Sequence, residues 1–209
     1  KLLDIKIKSM LSLKDSLAVL KKTEALKDGH FILSSGLHSP KYVQCAKLLS
    51  FPKKAEKICK SLALKIKKKF KKIDIILSPA IGGIVIGYEI GRILKLETIF
   101  CERVNGNFKL RRGFKITPKS NVLIVEDVIT TGKSSLECVR LIKKSNSHLV
   151  GFACIIDRSN KKQLKISRKI VSQIKLNIPT YNNKNIPESL KKIPITSPGS
   201  RRVKWKILD

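Results

Sequence analysis

The sequence predicts an α/β fold, a mainly parallel sheet with helices on both of its faces. Short runs that are apolar at nearly every position, such as Val122–Val125 and Leu149–Ile156, read as strands buried on both sides. They alternate with segments whose apolar residues recur every three or four positions, the spacing of amphipathic helices. At 209 residues and 42% hydrophobic content the chain can bury one substantial core.

The elements follow in order. Lys1 to Lys22 carries Leu3, Ile7, Met10, Leu13, Leu17 and Leu20 at helical spacing, and Gly29 then reads as a break. His30 to Leu33 and Tyr42 to Cys45 read as short strands on either side of the turn-rich "SSGLHSP". From Lys53 to Phe70, Ile58, Cys59, Leu62, Ile66 and Phe70 share one face among lysines, with Pro52 suited to a helix start. Ile73 to Leu77 is a strand stopped by Ser78-Pro79, and Ile84 to Leu96 is helical. Thr98 to Cys101 is a strand, whereas Glu102 to Gly113 is charged and without periodicity. Val122 to Val125, Ser134 to Lys144 and Leu149 to Ile156 complete a strand–helix–strand series. From Ile178 the tail is rich in Pro, Asn and Lys, and is expected to pack with the N-terminal elements as an irregular cap.

The bulk numbers narrow the function. A formal charge of +30, from 45 Lys+Arg against 15 Asp+Glu, invites a nucleic-acid reading. The lysines are spread along the whole chain, however, and aromatics are only 5%, so no base-stacking platform is predicted and nucleic acid is not the expected partner. Cys45, Cys59, Cys101, Cys138 and Cys154 are isolated, without metal-ligand spacing, and read as reduced core residues of a cytoplasmic protein. The longest uncharged run, Ile75 to Tyr88, is too short to span a bilayer and contains Pro79 and three glycines.

In a parallel sheet, ligands sit beyond the carboxyl ends of the strands. That directs attention to Ser78–Gly83, Glu102–Gly113, Glu126–Ser134 and Asp157-Arg158. The stretch "NVLIVEDVITTGKSS" (Asn121 to Ser135) ends like a triphosphate loop, yet such a loop needs a glycine five residues before its Gly-Lys-Ser, and Asp127 stands there. A carboxylate against a triphosphate is untenable without a metal between them. What remains is a strand, two acids, and a small hydroxyl-rich turn opening a helix. Backbone N–H groups of Ile129, Thr130, Thr131, Gly132, Lys133 and Ser134 would make an anion nest fit for a monophosphate. Glu126 and Asp127 can accept hydrogen bonds from vicinal sugar hydroxyls, directly or through a metal. A phosphate a few atoms from a diol is a ribose 5-phosphate.

"VLIVEDVITTGKSS" resembles the phosphoribosyl-diphosphate motif of type I phosphoribosyltransferases, and the rest of the chain is similar to their orotate phosphoribosyltransferase branch. "GHFILSSGLHSPKYVQCAKLL" (Gly29 to Leu49) resembles its N-terminal hood, "SPAIGGIVIGYEIGR" (Ser78 to Arg92) its pyrophosphate loop and following helix, "FCERVNGNFKLRRGFKI" (Phe100 to Ile116) its flexible catalytic loop, and "IPITSPGSRR" (Ile193 to Arg202) its ending. The resemblance implies a type I phosphoribosyltransferase fold: a single domain over 1–209, with a hood from about 1–50 and 178–209 on a core of about 51–177. It implies that Glu126, Asp127, Val128, Ile129, Thr130, Thr131, Gly132, Lys133 and Ser134 bind phosphoribosyl diphosphate. Thr130 and Arg158 would contact orotate, the guanidinium fork matching a carboxylate, with Ser34, Ser35, Gly36 and Tyr42 nearby.

The resemblance also implies transfer of ribose 5-phosphate to orotate, with Mg²⁺ carried by the substrate, and a homodimer whose lids cover each other's sites. The chain departs from many members of the family. Its pyrophosphate loop, Ile81-Gly82-Gly83, has no lysine, its flexible loop has no histidine, Ser34 replaces a hood lysine, and Lys133 replaces a second glycine. Charge neutralisation then falls to Arg103, Arg111 and Arg112, with Asp127 as the further catalytic candidate. A purine phosphoribosyltransferase, and a non-catalytic nucleic-acid-binding regulator on the same fold, remain alternatives.

Overall fold

The computed structural model describes residues 10–33, 35–159 and 169–198. Its centre is a six-stranded sheet in the order β5-β4-β3-β6-β7-β8. The strands are β3 (Ile75–Pro79), β4 (Glu97–Val104), β5 (Asn107–Leu110), β6 (Asn121–Ile129), β7 (His148–Asp157) and β8 (Ile170–Lys175). All neighbours run parallel except β4 and β5. The expected mainly parallel sheet is therefore observed, with an antiparallel strand at one edge.

Strand alternation sorts the core into two layers. Ile76, Leu123, Val125 and Ile155 face one side, packing with Ile58, Leu62 and Ile66 of α3 (Pro52–Lys69) and Ile86 and Ile90 of α4 (Gly82–Leu94). Leu77, Val122, Ile124 and Phe152 face the other, against Cys138 and Ile142 of α5 (Lys133–Lys144). Neighbouring residues of one strand thus enter opposite layers, which is why these strands lack the apolar–polar alternation of a half-exposed sheet. Pro52 sits at the start of α3, where its missing N–H has no intrahelical partner to lose.

A second, three-stranded sheet has the order β2-β1-β9, with β1 (Leu26–Ile32), β2 (His38–Val43) and β9 (Ile195–Thr196). It joins the two ends of the chain, since His30 pairs with Ile195 and Phe31 with Thr196. Buried side chains reinforce that join. His30 Nε2 and His38 Nδ1 lie 2.6 Å apart, and His38 Nε2 is 2.7 Å from Asn183 Oδ1. This is the hood of the expected fold class.

Several element assignments need correction. The first helix spans Leu13–Lys22, capped by Ser12, and residues 1–9 of the expected helix lie outside the described residues. Gly29 does not break the chain; it lies inside β1, where the register shifts between Asp28 and Phe31. His38–Pro40, read as turn, belong to β2, and Cys45 opens a short helix, α2 (Cys45–Leu49). Ser78 and Pro79 are the last residues of β3, not its stop signal. β6 runs on through both acids to Ile129. β8 was not anticipated, and the tail holds a 3₁₀ turn at Asn183–Asn185 and a short helix, α6 (Glu188–Lys191).

The largest correction concerns Glu102 to Gly113. Most of it forms a hairpin, with Val104 paired to Asn107 across the two-residue turn Asn105-Gly106. Both turn residues have positive φ, +49° and +81°, as the hand of a two-residue hairpin turn requires. The alternation of exposed and buried residues in Asn107–Leu110 is the signal that helical periodicity misses.

Candidate active site

Four segments converge at the carboxyl ends of β3, β4, β6 and β7. β3 and β6 are adjacent, so the turn into α4 sits beside the acids. A Cβ added to Gly82 would stand 2.8 Å from Asp127 Oδ2, so the glycine lets the backbone pass against that carboxylate. Arg158 follows β7, and its N–H donates to Ile129 O at 2.8 Å, fixing it beside the end of β6.

The two acids point to opposite faces of β6. Glu126 is directed towards α5, where it accepts a hydrogen bond from Ser135 Oγ, and both residues are buried. Asp127 faces the start of α4. Burial pushes the Glu126 carboxyl up to about 7, opposed by the Ser135 hydroxyl and assisted by the neighbouring charges of Asp127 and Glu137. Burial also raises Asp127, opposed by the backbone N–H groups of Val128 and of Asp127 itself. Both carboxyls are raised mainly by burial, which disfavours their charged forms; a bound cation or hydroxyl donors would favour ionisation and be accepted there.

Beyond Glu126 the chain curls into a cup of ≈ 80 Å³ lined by Glu126, Val128, Thr130, Thr131, Gly132, Lys133 and Ser134. Gly132 has φ +74°, the left-handed conformation that turns the loop into α5. It precedes the first turn of that helix, whose N–H groups and dipole favour an anion. Seven of the nine residues expected to bind phosphoribosyl diphosphate line this cup. Asp127 lies on the other face of the strand, and Ile129 is a core residue, 1% exposed, whose strand pairs with β7 at Asp157. Its backbone is committed to the sheet, so the nest begins at Thr130.

Arg158 is half-buried, burial lowers its ordinarily very high pKa, and its Nε has no hydrogen-bond partner among the described residues. Of the hood residues expected nearby, Ser34 lies outside the described residues, Ser35 and Gly36 are exposed, and Tyr42 packs on Phe31 with ring centroids 5.7 Å apart. The segment Gly199–Arg202 of the expected ending is also outside them.

The hairpin arginines are engaged on their own chain. Arg103 pairs with Glu137 of α5 at 2.8 Å, and its guanidinium lies 4.1 Å from the Phe108 ring centroid. Arg112 forms a two-pronged pair with Glu102 at 2.7 and 3.2 Å. Arg111 is exposed and has no ion-pair partner among the described residues. A larger cavity, ≈ 730 Å³, separates this hairpin from α5 and is distinct from the cup. Ser135 and Glu137 were not singled out from the sequence. Their signal was positional: they fall on the first turns of the helix that the cup opens.

Comparison with known proteins agrees with this geometry. Residues 51–192 match the phosphoribosyl transferase domain model. The orotate phosphoribosyltransferase of Caldicellulosiruptor saccharolyticus is 46% identical over 186 residues, covering 89% of this chain and 96% of that protein. The one from Parvibaculum lavamentivorans is 45% identical over 193 residues, covering 90% and 99%.

The chain belongs to the orotate phosphoribosyltransferase family.

Among solved structures, orotate phosphoribosyltransferase from Aeropyrum pernix superposes with a TM-score of 0.64 at 20% identity, covering 76% of this chain and 92% of that one. An adenine phosphoribosyltransferase superposes with 0.61 at 18% identity, covering 75% and 99%. At such identity the superpositions establish the fold alone. Orotate and purine enzymes share it, so the choice between them rests on sequence relatives and on the site.

Proposed function

We infer that the chain transfers ribose 5-phosphate from phosphoribosyl diphosphate to orotate, giving orotidine 5′-monophosphate and diphosphate, a step of pyrimidine nucleotide synthesis. The observation that carries this reading is the pairing of two buried acids at the end of β6 with an anion cup on α5, in a chain over 40% identical to orotate phosphoribosyltransferases. The cup takes the 5′-phosphate, and Glu126 and Asp127 take the ribose hydroxyls from either side of the strand. Arg158 takes the carboxylate of the pyrimidine, its unpartnered Nε supporting that role. The 730 Å³ cavity has no place in this scheme.

Among the described residues no group of three or more His, Cys, Asp or Glu side chains could hold a metal. Glu126 and Asp127, on opposite faces of β6 at its end, suit instead a Mg²⁺ ion that would arrive with an anionic substrate and be held by one of these carboxylates and by substrate oxygens. When bound, the ion neutralises charge on the leaving diphosphate. This chain's residues do the rest. The cup and the acids hold the sugar so that its anomeric carbon faces the base, Arg158 orients the attacking nitrogen, and the hairpin excludes water and brings cationic charge to the leaving group.

We read the protein as a cytoplasmic homodimer with its hood over 1–50 and 178–209. Five free buried thiols suit a reducing compartment, and no helix among the described residues is long and apolar enough to cross a membrane. Ile81, Val85 and Tyr88 are exposed at the start of α4 and along one side of it, an apolar stripe suited to a second subunit. Product analysis with equal concentrations of orotate, adenine and hypoxanthine tests the base assignment. Orotidine monophosphate as the sole nucleotide supports it, and a purine nucleotide in its place overturns it.

A further inference from the structure

Arg103 is held by three groups at once. Its Nη1 lies 2.8 Å from Glu137 Oε2 and donates to Gly106 O at 2.6 Å, while the guanidinium covers Phe108. Held this way, it cannot neutralise a leaving diphosphate. Glu137 is placed to matter. It stands five residues into α5, just over one turn beyond the Gly132 cap that closes the cup, and its side chain is only 18% exposed. Arg103 lies two residues beyond Cys101, which pairs with Pro79 at the end of β3, so it sits at the root of the hairpin expected to close over the neighbouring site.

We propose that Glu137 is a positioning residue that holds Arg103 against α5 and surrenders it to the diphosphate of the donor bound in the neighbouring subunit. The proposal rests on the donor-binding reading above. A half-exposed pair is weak, whereas a diphosphate offers several anionic oxygens to the same fork, so the exchange runs towards the substrate. When diphosphate leaves, Glu137 recaptures the arginine. The neighbouring cation Arg112 does not compete for Glu137, because Glu102 holds it.

The test is a double-mutant cycle read by calorimetric titration of Mg²⁺-diphosphate, which requires no orotate turnover. Glu137→Gln removes the competitor and is expected to tighten diphosphate binding about two- to fivefold, the range of a half-exposed ion pair. In an Arg103→Gln background the same substitution is expected to change nothing, and Glu137→Asp should restore wild-type affinity. In turnover, KM for the donor should fall with Glu137→Gln while kcat falls too, because diphosphate leaves more slowly. A merely structural Glu137 would lower the melting temperature without an Arg103-dependent change in affinity. Weaker binding in Glu137→Gln, or an equal change with and without Arg103, overturns the proposal. Failure to use orotate, with the cycle intact, would overturn the base assignment and leave this one standing.

Discussion

Glu126 and Asp127 are adjacent in sequence yet have different surroundings, because a strand sends neighbours to opposite faces. Glu126 is the more buried, and its raised pKa fixes the sign of a pH effect. In the unfolded chain a glutamate titrates near 4.3, in the folded protein near 7. Below about pH 4 both states are protonated and the group contributes nothing. As pH rises through 7 the unfolded state loses its proton first, so stability falls, by roughly 4 kcal/mol in full above that pH. Glu126→Gln should therefore melt higher than the ligand-free wild type at pH 8, with the difference vanishing near pH 4. A constant difference across that range would contradict the assignment. Asp127→Asn keeps shape and removes charge; it is expected to lower kcat/KM for the donor about 100-fold or more while melting no lower than the ligand-free wild type at neutral pH, since burial raises this carboxyl too. An unchanged rate would remove Asp127 from the site.

Among the elements, α4 is defined by glycines on its inner face and apolar residues on its outer one. A Cβ on Gly87 would overlap the Ser78 hydroxyl, and one on Gly91 the Thr98 hydroxyl, so the helix lies closer to β3 and β4 than any side chain permits. Gly87→Ala is expected to cost about 1–3 kcal/mol, measurable by urea denaturation. The outer stripe predicts a different result. Val85→Glu with Tyr88→Glu should convert a dimer to a monomer in light scattering and reduce turnover, since each lid is expected to cover the neighbouring site. A monomeric wild type would contradict this. The β4–β5 hairpin shows how an element escapes notice. Its exposed residues are Arg103, Asn105, Gly106, Asn107 and Lys109, and only Phe108 is buried along β5, so hydropathy alone gave it no strand character. β8 was overlooked for a similar reason: Val171 and Ile174 are buried, but lysines flank the strand at both ends.

For the molecule as a whole, the sheet was legible because its strands are buried on both faces and must be apolar throughout, a pattern independent of tertiary detail. The cup was legible because backbone N–H groups at a helix start depend on glycine and hydroxyl placement rather than on distant partners. The contacts hidden from the sequence are long-range: Ser135 beneath Glu126, Gly82 against Asp127, Glu137 beside Arg103, and the pairing of residues 30 and 195 that joins the two ends of the fold. The +30 charge acts mainly at the surface, where Lys60, Lys21 and Lys191 meet Glu56, Asp28 and Glu188 in exposed pairs worth little individually. In the proposed function, the two acids and the cup bind a phosphoribosyl donor for attack by orotate. Following the ultraviolet absorbance of orotate with phosphoribosyl diphosphate and Mg²⁺ tests it most directly. The expected result is a loss of absorbance that needs all three components and is abolished or strongly slowed by Asp127→Asn; unchanged absorbance with folded protein, alongside tight salt-dependent RNA binding, would contradict it.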